Sequence, residues 1–131
     1  MTAWAENCLG LAASNLGDYP GSCNHHLESL RLARLLGDHR PTALALEGFA
    51  VLYARHGDTA TGLAIAAAAS ALRQRIGVPR HLPESDILAS ALDMAPGELP
   101  TAEAEHARLH GRPLSVDDAV NLARDAYGDS E

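Results

Sequence analysis

Slid along itself by 40 residues, the chain meets its own turns. Gly17-Asp18 falls on Gly57-Asp58 and Gly37 on Gly77, while Leu9, Leu11, Leu32 and Leu36 fall on Phe49, Val51, Leu72 and Ile76. Two turn positions and four apolar positions agreeing at one offset are the mark of an internal repeat. Between the turns, apolar residues recur at helical spacing, so the unit reads as helix–turn–helix. Such a unit buries its apolar faces only against a neighbouring copy. The chain is therefore expected to be a stack of helix pairs, an architecture whose usual work is binding.

The second copy is the clearer one. Leu44 to Gly77 reads as two helices folded back around His56-Gly57-Asp58, with Thr42 capping the first, over 42–56, and Asp58 or Thr59 the second, over 59–76. The first copy spans 1–40, with helices over 3–16 and 20–36, and the second spans 41–77. After Gly77 the pattern changes. Val78 to Pro83 is a stiff proline connector, because each proline fixes its own backbone and restricts the residue before it. Helices are expected over 84–94, from Pro100 or Thr101 to His110, and from Ser115 onward, giving a three-helix cap over 78–131. In Ser115-Val116-Asp117-Asp118 the serine suits a cap and the acids suit the positive end of the helix. The whole, 1–131, reads as one all-α domain.

Charge narrows the partners. The formal net charge is −7; residues 1–83 carry seven Arg and six acids, while 84–131 carry three Arg and eleven acids. Binding to nucleic acid draws on a basic face that displaces counterions from phosphates, so direct contact with nucleic acid is not expected. The longest apolar run, Leu63 to Ala69, falls far short of a bilayer span. Without a basic start and apolar run at the N-terminus, no signal peptide is read, and a cytoplasmic protein with reduced thiols is expected. Cys8 and Cys23 read as small buried residues inside helices, with no basic cluster to lower a thiol pKa.

The stretches ALEGFAVLYARHGD and AAAASALRQRIGVPRHLP, with the ending GRPLSVDDAVNLA, resemble the C-terminal repeats of large bacterial ATP-binding transcriptional regulators of the LuxR and SARP types. The resemblance covers roughly residues 4–127, although Asp93 to Thr101, with Pro96 and Pro100, interrupts where those proteins run more smoothly. It implies a tetratricopeptide-like array that senses an inducer or a protein partner and restrains the ATPase and DNA-binding parts of the regulator. Neither part is present in these residues: there is no phosphate-cradling G-x-x-x-x-G-K-[ST] loop and no basic recognition helix. The chain is expected to be an excised C-terminal segment or a free-standing relative, non-enzymatic and without a cofactor.

In such arrays the first helix of each pair lines the concave surface. With Gly10 and Ala50 aligned as the small residues of those helices, Trp4, Asn7, Leu11 and Ser14 point to a groove, as do Leu44, Glu47, Val51 and Ala54, with Arg55 at its edge. Trp4 is equally suited to anchoring a partner or to burial against the second helix. Both ends of a two-repeat stack leave apolar faces to cover, by self-association as a homodimer through one end or by contact with missing upstream repeats. The alternative function is metal binding. Glu103, His106 and His110 lie at i, i+3 and i+7 on one helical face, a spacing that metal-binding helices use, and His25, His26 and Glu28 offer further ligands. The simpler reading of that face is a solvated polar surface. His39, His56 and His110 stand near expected helix C-termini, where an imidazolium offsets the dipole.

Overall fold

A computed structural model of the protein describes residues 2–55, 58–77 and 101–129. Among them the fold is all-α, with helices α1 (Ala3–Asn15), α2 (Tyr19–Leu36), α3 (His39–Arg55), α4 (Thr59–Ile76), α5 (Thr101–Gly111) and α6 (Val116–Asp129). The helix expected over 84–94 and the proline connector before it lie outside the described residues.

The 40-residue repeat holds down to individual hydrogen bonds. Asp18 N–H donates to the Ala13 carbonyl at 2.8 Å and Asp58 N–H to that of Tyr53 at 2.9 Å, the same bond one repeat later. Each aspartate then caps the following helix, Asp18 accepting from Gly21 N–H and Asp58 from Thr61 N–H. Gly37 and Gly77 close the second helices with φ of 66° and 70°, a left-handed backbone that a Cβ would disfavour. Such short turns fold each pair back on itself. One start differs from expectation. Helix α3 begins at His39, not Thr42, because Asp38 accepts from Arg40 N–H at 3.0 Å and Pro41 fits a first turn whose N–H groups have no helical acceptor. His39 is thereby the first residue of α3, where an imidazolium opposes the dipole, so it caps no C-terminus; His56 lies outside the described residues.

Helix α3 is the axle. All thirteen residues from Thr42 to Ala54 are buried, as expected of a helix with neighbours on every side. It packs on α4 most heavily, then on α2, α1 and α6. Helix α5 lies on α4, and α6 lies on α4 and α3, where Tyr53 O–H donates to the Ala123 carbonyl. Ser115 caps α6, its Oγ accepting from Asp118 N–H at 3.1 Å.

A single imidazole joins the first three helices. His26 of α2 is fully buried, its ring 5.7 Å from that of Phe49. It occupies a slot made by two missing side chains: a Cβ on Gly10 would lie 2.6 Å from Nε2, and one on Gly48 would overlap the ring. Asn7 Nδ2 donates to the Pro41 carbonyl at 3.1 Å, which turns Asn7 Oδ1 toward His26 Nδ1, also at 3.1 Å. An amide oxygen only accepts, so the ring proton sits on Nδ1. Nε2 has no hydrogen-bond partner among the described residues. Burial, and then the charge of neighbouring His25, pushes the His26 pKa down from 6.5 to about 4, so the ring is neutral at physiological pH.

Replacing Gly48 with Ala is expected to cost about 1–3 kcal/mol by overpacking. In a His26→Ala background most of that cost should vanish, since the atoms met by the new methyl are gone. A urea-denaturation double-mutant cycle measures the coupling; equal costs in both backgrounds would show that the ring does not fill the slot.

Candidate functional site

The groove expected from α1 and α3 is narrower than its nine named residues. Asn7, Ser14, Leu44, Glu47, Val51 and Ala54 are buried, while Trp4 is 55% exposed and Leu11 and Arg55 are half-buried. The reason is the way the small residues are used. Gly10 faces His26 of α2, and Ala50 faces Gly62 of α4, where a Cβ would approach the Ala50 carbonyl oxygen to 2.9 Å. The small positions therefore seat the paired helix, and their polar neighbours turn into helix–helix seams. Asn7 joins the His26 network there. Ser14 Oγ and Asn15 Oδ1 accept from Arg55 Nη1 at 3.0 and 2.8 Å, tying the end of α1 to the end of α3. The accessible part of this surface is Leu11 with Trp4 on one side and the tethered Arg55 guanidinium on the other.

Glu47 is answered from α4. Arg73 donates to it twice, Nε to Oε2 at 2.9 Å and Nη2 to Oε1 at 2.7 Å, with side-chain exposures of 9% for Arg73 and 5% for Glu47. This parallel two-bond geometry is the strong form of the pair. At this depth it secures the α3–α4 register, and Glu47 does not present a carboxylate to a ligand. The sequence carried a signal for this pairing that spacing alone missed. Asn7 and Glu47 are equivalent positions of the repeat, and each is a lone polar group on an inward face, which demands a partner from the adjacent helix.

The thiols divide. Cys23 is buried in the core, whereas Cys8 is exposed on α1, contrary to the expectation that both are buried. His25 Nδ1 lies 2.8 Å from Glu6 Oε2, and Glu28 is taken by Arg31, so these side chains do not gather with His26. Burial of His26 between two glycines leaves no room for a ligand at Nε2.

Glu103, His106 and His110 do share a surface. They rim a cleft of about 600 Å³ between α4 and α5, floored by Ala64, Ala107 and Leu122. His110 lies in the last turn of α5, as expected, and Gly111 lets the helix end press against the Ala64 backbone. No group of three or more His, Cys, Asp or Glu among the described residues is placed to hold a metal ion. No helix among the described residues is long and apolar enough to cross a membrane.

The family model for the tetratricopeptide repeat matches residues 1–75. Among curated proteins and among solved structures no match is found. The matched stretch spans the two helix pairs whose turns and caps superpose at the 40-residue offset, nearly to the Gly77 cap.

Replacing Glu47 with Ala leaves the Arg73 charge buried and is expected to cost about 3–5 kcal/mol, read from a guanidinium unfolding curve. A stability unchanged from the parent chain would return Glu47 to the accessible surface.

Proposed function

On the premise that the chain belongs to the tetratricopeptide repeat family, whose repeats generally mediate protein–protein contact, we propose that it is a non-enzymatic interaction module of a bacterial transcriptional regulator of the LuxR or SARP type. The family match carries the first half of that reading. The second half rests on the resemblance in ALEGFAVLYARHGD, in the proline connector and in GRPLSVDDAVNLA. The module takes a protein segment or small inducer and passes its presence to the ATPase and DNA-binding parts, in the cytoplasm.

The surface around Leu11, with Trp4 and Arg55 flanking it, is the site this reading uses. Its chemistry suits a short peptide with an apolar side chain next to a carboxylate. Leu11 and Trp4 supply apolar contact, and Arg55, already oriented by Ser14 and Asn15, supplies a cation whose ordering cost is partly met before binding. Aromatic and arginine side chains are the commonest anchors at such contacts.

Peptides selected from a displayed random library against the purified chain test the reading, with affinity followed through Trp4, the single tryptophan of the chain. Selected peptides are expected to lose about tenfold or more in affinity on Leu11→Asp or Arg55→Ala, a cost of about 1.4 kcal/mol or more. Failure to enrich any sequence, or affinities indifferent to both substitutions, would contradict it.

A further inference from the structure

Arginine in this structure is, as a rule, answered by a carboxylate. Arg31 meets Glu28, Arg34 meets Asp117, Arg40 meets Asp38 and Arg73 meets Glu47. Among the described arginines that make a side-chain hydrogen bond, Arg55 is the exception. Both oxygens it reaches, Ser14 Oγ and Asn15 Oδ1, are neutral. Asn15 is its own counterpart in the first copy of the repeat, forty residues earlier. Arg55 is also half-buried, so water screens its charge only in part. Both bonds leave from one nitrogen, Nη1, and between them use its two N–H groups. The other edge of the guanidinium, Nε–H with one N–H of Nη2, makes no hydrogen bond among the described residues. On Arg73 that same edge grips Glu47, Nε to Oε2 and Nη2 to Oε1, the geometry that matches the two oxygens of a carboxylate.

We propose that this unspent edge of Arg55 takes the carboxylate of an aspartate or glutamate side chain from a protein partner, with Ser14 and Asn15 as the positioning residues that aim it. The inference rests on the interaction reading above and names what that surface selects. Three features fix the ligand. The edge offers two parallel donors, which fit a planar two-oxygen group better than a single carbonyl. Arg55 lies in the last turn of α3, and Ser14 and Asn15 lie in the last turn of α1. Two helix ends of negative partial charge thus meet here, and they suit one formal negative charge better than the near-double charge of a phosphate. The repeats of this family generally contact proteins, which makes the carboxylate a side chain of a segment that also reaches Leu11, one turn before Ser14 on α1. Neutral tethers serve this use, because they order the guanidinium without answering its charge and leave that attraction for the partner.

The peptides selected from the displayed library test this, each resynthesised with its acids replaced one at a time by the amide and, separately, with its C-terminus amidated. Enriched peptides are expected to share an Asp or Glu whose exchange for Asn or Gln lowers affinity about tenfold or more, while amidation of the C-terminus changes nothing. Arg55→Lys keeps the charge but has no two-donor edge, and should bind as weakly as Arg55→Ala. Asn15→Asp separates aiming from folding. It supplies the missing carboxylate from within the chain, so the acidic peptide should lose its advantage over its amide analogue while helical circular dichroism and the thermal midpoint hold. Peptides that depend on Leu11 but are indifferent to their acids, that bind the Arg55→Lys chain as they bind the parent, or that fail only on amidation overturn this inference and leave the interaction reading standing. A library that enriches no sequence removes both.

Discussion

A neutral imidazole wedged between two glycines is the contact on which the stacking of this protein depends. His26 reaches across from α2 to touch α1 at Gly10 and α3 at Gly48, so one side chain sets the spacing of three helices. Its proton is placed by Asn7, whose own amide is held by the Pro41 carbonyl. The cost is a buried nitrogen without a hydrogen-bond partner among the described residues. The benefit is a fixed register between the two repeats, since nothing larger than hydrogen fits at either glycine. The arrangement also carries a pH dependence. Because the folded pKa of about 4 lies below the unfolded 6.5, this group takes nothing from stability above about pH 6.5. As pH falls toward 4 the unfolded chain binds the proton that the folded one refuses, and stability declines by about 1.4 kcal/mol per unit.

The rest of the stack is arranged around α3, a helix whose buried side chains are small, aliphatic or aromatic apart from Thr42 and the one buried charge of Glu47. Glu47 and Asn7 occupy one position of the repeat and solve the same problem differently. Asn7 bridges to α2 and α3 within a neutral network, whereas Glu47 crosses to Arg73 of α4 as an ion pair. The repeat thus keeps a polar group at this depth and changes the element that answers it. Equivalent positions at the end of the stack have the opposite fate: Phe49 is the largest fully buried side chain while its counterpart Leu9 is exposed. The difference is the presence of α2 on one side of α3 and of no described helix outside α1.

Turns, caps and helix pairing were legible in the sequence because they are local. Gly37, Gly77, Asp18, Asp58 and Ser115 each act within a few residues of themselves, and chain chemistry at that range is read directly. The accessible surface was less legible because it depends on which side of a small residue the next helix lies. Gly10 and Ala50, the aligned small residues of α1 and α3, seat the partner helix of each pair, which carries Asn7, Ser14, Glu47 and Val51 inward with them. The exposure of Cys8 is equally non-local, being decided by what packs on α1. Glu103, His106 and His110 lie along one cleft, as their spacing requires, but sharing a helical face does not bring three ligands to one point.

Nitrogen-detected NMR of the histidine side chains across a pH titration tests the wedge most directly. The account predicts that His26 shows the Nδ1-protonated neutral form and gains no second proton down to about pH 4, losing this signature only as the chain unfolds. A His26 ring that titrates reversibly near 6.5, or that carries its proton on Nε2, would contradict the account and remove the contact that sets the spacing of the two repeats.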